Sequence, residues 1–106
     1  MNENELTGLL ESLRRMGSDD LSVEVKESAT TLSRDVWETV SAFANTAGGI
    51  IVLGVSERAG FVPVANFETE KVLNQFVAGM GDAGGRGKLA NPPKYTIERV
   101  ELRGTV

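Results

Sequence analysis

Two glycines, Gly48 and Gly49, divide a stretch with helical spacing from the short apolar run Ile50 to Val55. This junction restricts the possible folds more than any other feature. Before it, Val36, Trp37, Val40, Phe43 and Ala44 recur as one face of a helix. After it, the run is too short for an independent helix and rich in β-branched residues, so it reads as a buried strand. Asn45 to Gly49 supply the helix stop, since Asn and Gly tolerate the left-handed backbone that ends helices. Ser33 is the expected N-cap, with Asp35 in the first turn. Trp37, the single tryptophan, is expected to anchor the core.

The flanking segments extend the pattern. Leu6, Leu9, Leu10 and Leu13 give residues 3–15 one apolar helical face, and Gly17 is placed to end that helix. It reads either as an appended helix packing on the domain or as a dimerisation helix. Leu21, Val23 and Val25 alternate with polar residues, as in a half-buried strand. Ser56 to Gly60 reads as a turn, and Phe61 to Val64 as a short return strand whose Pro63 suits an edge. Val72, Leu73, Phe76 and Val77 mark a further helix over 68–79. Tyr95 to Leu102 alternates again, with a break of phase near Arg99 that suggests a bulged strand. No internal repeat is visible. The expected fold is α+β, in the order α-β-α-β-β-α-β, with a small, mostly antiparallel sheet and helices on one face.

Composition excludes several chemistries. With neither cysteine nor histidine, the chain lacks disulfides, thiolate metal sites and the usual general base. No apolar run is long enough to span a membrane, and the acidic N-terminus is unlike a signal peptide, so a cytoplasmic location is expected. The net charge of −4 is unevenly spread. Residues 1–40 hold nine acids and four bases, whereas residues 81–106 hold five bases and three acids. An acidic chain is poorly suited to tight non-specific DNA binding, so nucleic-acid contact would need a local basic surface.

The stretch Gly81 to Ala90 suggests a phosphate loop but fails as one. A Walker loop requires glycine where Asp82 stands and a hydroxyl where Leu89 follows Lys88. A solvated loop, or one whose bases touch a nucleic-acid backbone, remains. The carboxylates Asp19, Asp20, Glu24 and Glu27 form either a charged strand face or a metal-binding cluster. In Asn45 to Gly49, turn geometry accounts for the glycines, although they also permit close approach by a ligand.

Three motifs in order carry a resemblance. Glu24-Val25-Lys26 on the first strand, Ala42-Phe43-Ala44-Asn45-Thr46-Ala47-Gly48-Gly49, and a strand ending Gly54-Val55 resemble the Schlafen/AlbA-like DNA-binding domain. That pattern has Phe where this chain has Val25. The likeness covers about residues 19 to 100. It divides the chain into an N-terminal helix (1–17) and the domain (18–106), which in this family usually continues beyond the position where Val106 stands.

The resemblance implies a nucleic-acid-binding domain of a bacterial transcriptional regulator, with DNA favoured over RNA. The contacts are expected from Lys26, Arg86, Lys88, Lys94 and Arg99. Glu24, Lys26, Asn45, Thr46, Gly48, Gly49 and Gly54 are the family-motif positions. Some eukaryotic relatives are RNA-cleaving enzymes that use three carboxylates. Here the matching residues are Asp19, Glu24 and the neighbourhood of Ser56, where many relatives have Asp and only the adjacent Glu57 is charged. A metal-dependent nuclease is therefore an alternative, but nuclease activity is not expected. The third reading is a protein-interaction module or homodimer. The ATP-binding label of some relatives has no supporting motif, and no cofactor, metal or membrane partner is expected.

Overall fold

The computed structural model describes residues 1–17, 22–81, 87–89 and 92–102. Helix α1 (Glu3–Met16) opens on a capping box. Asn2 accepts from the Glu5 backbone and Glu5 accepts from the Asn2 backbone, so both helix-end donors are satisfied. Gly17 closes the helix in the left-handed conformation. Leu6, Leu10 and Leu13 are buried, and Leu9 packs beside them. Arg14 ties the far end of α1 to the chain by donating to the carbonyls of Gly60 and Phe61 at 2.8 and 2.9 Å.

Strand β1 (Val23–Lys26) pairs in parallel with β2 (Ile50–Leu53), matching Val23 with Ile50 and Lys26 with Leu53. The mostly antiparallel sheet expected from sequence is thus corrected here. A parallel pair needs a crossover, and helix α2 (Val36–Ala44) supplies it by returning the chain to the same end of the sheet. A parallel pair is also covered on both faces. Val23, Val25 and Val52 join the α1 leucines, Val55 and Phe61. Ile51 and Leu53 turn the other way, to Leu32, Val36, Val72 and Phe67. Helices therefore lie on both sides of the pair rather than on one.

The apolar run splits at Gly54. Its φ of 89° turns the chain out of β2 and into β3 (Val55–Ser56), which pairs antiparallel with β4 (Val62–Pro63). The Gly54 N–H donates to the Lys26 carbonyl at 2.9 Å, and its own carbonyl accepts from Val64 at 2.8 Å. Helix α3 (Thr69–Gly79) follows, giving the order α-β-α-β-β-β-α, in which the one predicted strand after α2 is divided into two.

The strand expected over Tyr95 to Leu102 is not formed. Residues 92–102 run without helix or strand; three of their apolar side chains go to two separate clusters, and Ile97 is exposed. Tyr95 meets Phe76 of α3, while Val100 and Leu102 pack on the α1 core. The capping expectations also change. Asp35 rather than Ser33 is the N-cap of α2, and Ser33 instead hydrogen-bonds Ser28. Asn45 has a φ of −89°, so the left-handed turn after α2 falls on Gly48 at 92°.

Candidate nucleic-acid interface

Glu24 and Lys26 occupy alternate positions of β1 and so share the face turned toward α2. The Thr39 hydroxyl, on α2, donates to Glu24. Lys26 Nζ lies 3.0 Å from Asp35 at the start of α2 and 3.5 Å from Glu24. Burial opposes the charge on Lys26, but Asp35 and Glu24 outweigh it and hold the ammonium above its ordinary range. With 12% of its side chain exposed, Lys26 is a clasp between β1 and α2.

One residue further on, Glu27 accepts from the buried Ser56 hydroxyl at 2.7 Å, while Ser56 Oγ accepts from the Ala59 N–H at 3.1 Å. Ser56 thus joins the end of β1 to the turn after β3. An open cleft of about 520 Å³ lies beside this link, lined by residues that include Lys26, Glu27, Asp35, Glu57 and Arg58.

The three carboxylates weighed for a nuclease are not seen as a set. Asp19 lies outside the described residues. Glu24 is engaged by Thr39 and Lys26, and Glu57 lines the cleft. Among the described residues, no three Asp or Glu side chains gather in a way that could hold a metal ion.

The five bases weighed for nucleic-acid contact also separate. Arg86 lies outside the described residues. Lys26 is the clasp above, and Arg99 pairs with Glu70 at 3.0 Å. Lys88 and Lys94 are exposed and form no ion pair among the described residues. Lys88 is anchored by its backbone, which donates to the Gly79 carbonyl at 2.6 Å, and Lys94 precedes Tyr95, which contacts Phe76. Both are thereby held along α3. Arg58 is a further exposed base, on the cleft, that sequence reasoning passed over. Its signal would have been its place in the turn after the Gly-Val strand.

Thr46 donates to the carbonyls of Ala42 and Phe43 at the end of α2. A side chain on Gly49 would strike the Phe43 ring at 2.7 Å, and one on Gly54 would strike Phe67 at the same distance. Gly49 lets the end of α2 lie close against the start of β2, and Gly54 lets Phe67, just before α3, lie close against the end of β2.

The sequence matches the Schlafen, AlbA_2 family over residues 19–105. The chain belongs to this family. The match begins after α1 and takes in both strand pairs, α2, α3 and the segment bearing Lys88 and Lys94. No curated protein and no solved structure matches significantly. No helix among the described residues is long and apolar enough to cross a membrane.

Proposed function

We propose that this Schlafen AlbA_2 chain is a nucleic-acid-binding domain of a bacterial transcriptional regulator, taking DNA in preference to RNA. The family match over residues 19–105 carries the reading. The exposed lysines Lys88 and Lys94 support it, because a chain of net charge −4 needs a local cationic surface to meet phosphate.

The test is fluorescence anisotropy with labelled DNA and RNA, each as duplex and as single strand, across a salt series. Two phosphate contacts imply a slope of log affinity on log salt of about −2 on duplex and about −1.4 on a single strand. The pair Lys88→Ala and Lys94→Ala should remove most of that slope. Absence of binding at low salt, or binding indifferent to salt, refutes the proposal.

A further inference from the structure

The segments that carry the two exposed lysines adjoin a contiguous set of aromatic rings. Trp37, near the start of α2, stacks on Phe76 of α3 with ring centroids 5.5 Å apart and planes 20° from parallel. Tyr95 meets Phe76 edge-on, at 5.4 Å and 79°. All three rings are partly exposed. The indole of Trp37 takes the space that a side chain would need on Gly79, where an added Cβ would fall 2.1 Å from the ring. Lys88 is bonded through its backbone to that same Gly79, the residue whose Cβ position the indole covers. Lys94 is the chain neighbour of Tyr95. The three rings thus touch in series, and the segments that carry Lys88 and Lys94 adjoin them at Gly79 and at Tyr95.

Such a combination of rings and nearby bases suits an unpaired strand better than a duplex. In a duplex the base faces are already stacked on one another, and only phosphates and groove edges are offered. A single strand presents base faces that stack on aromatic rings while its phosphates meet flanking cations. We infer that this surface binds single-stranded nucleic acid, with Tyr95 stacking on a base and Lys88 and Lys94 meeting phosphates on either side. The inference rests on the nucleic-acid reading above and narrows it to strands without a partner.

Trp37 is the only tryptophan, so its emission reports on this surface alone. The whole chain is titrated at low salt with a short oligothymidylate and, separately, with a duplex of the same length. Tryptophan emission and the anisotropy of the labelled strand are followed together. The expected result is tighter binding of the oligothymidylate with quenching of Trp37. Tyr95→Leu should weaken single-strand binding about tenfold. The Lys88→Ala and Lys94→Ala pair should lower the single-strand salt slope by about 1.4.

Duplex binding as tight as single-strand binding overturns the inference and leaves the proposed function standing. Single-strand binding with unmoved Trp37 emission also overturns it. Failure to bind any nucleic acid overturns both. Should Tyr95→Leu fail to fold, the emission and lysine measurements still decide.

Discussion

The family match begins at residue 19, yet the helix before it contributes three buried leucines to the core. Leu13→Ala tests whether α1 belongs to the folded unit. The Leu13 side chain is 0% exposed and packs with Leu6, Leu10, Val23, Val25, Val55 and Phe61. Truncating a leucine in such a place removes its transfer free energy and leaves a cavity, together costing about 2–5 kcal/mol. In a domain of this size each kcal/mol lowers Tm by about 4–8 °C, so a fall of at least about 8 °C is expected. Thermal unfolding followed by circular dichroism measures it. Thr7→Ala, on the exposed side of the same helix, serves as the control and should change stability by no more than about 0.5 kcal/mol. If Leu13→Ala melts within about 2 °C of the parent, α1 is an appendage and the core described above is wrongly drawn.

Gly54→Ala should destabilise by at least about 2 kcal/mol, because it combines a left-handed backbone with a clash on Phe67, and urea unfolding should show a lower midpoint at unchanged slope. Ser56→Ala should cost about 1 kcal/mol by removing the acceptor for Ala59 and the donor to Glu27; an unchanged urea midpoint would show that neither bond matters. The charge on Lys26 contributes stability that is fully present below its unfolded pKa of about 10.4 and is lost as pH rises through its raised folded value. Between neutral and strongly alkaline pH the parent should therefore lose more Tm than Lys26→Met, and parallel pH profiles would refute the clasp.

The legible parts of this fold are those written as periodicity. The spacing of Leu6, Leu10 and Leu13 is a helix face, and the alternation of Val23 and Val25 is a strand face, whatever surrounds them. Strand direction is different, because a period of two is common to parallel and antiparallel pairs. Only the return of the chain through α2 decides it. Tyr95 to Leu102 shows the reverse case, in which Tyr95, Val100 and Leu102 pack on two clusters, Ile97 is exposed, and no strand partner is found among the described residues. At the candidate site, the exposure of Lys88 was readable from its glycine-rich setting and that of Lys94 from the two prolines before it. The occupation of Lys26 was not, since Asp35 reaches it only through the placement of α2. The approach of Trp37, Phe76 and Tyr95 likewise joins three segments that no local pattern connects.

Gly54 donates to the parallel pair and accepts from the residue after β4. The consequence is an order of events during folding. The β3–β4 hairpin joins residues close in the chain, and such hairpins form in about 1–10 μs. The β1–β2 pair must wait for a long loop to close around α2, which is slower. Because one residue borders both, the early hairpin presents the end of β2 close to its final orientation before β1 arrives. The slow search of β1 then has one docking register to find.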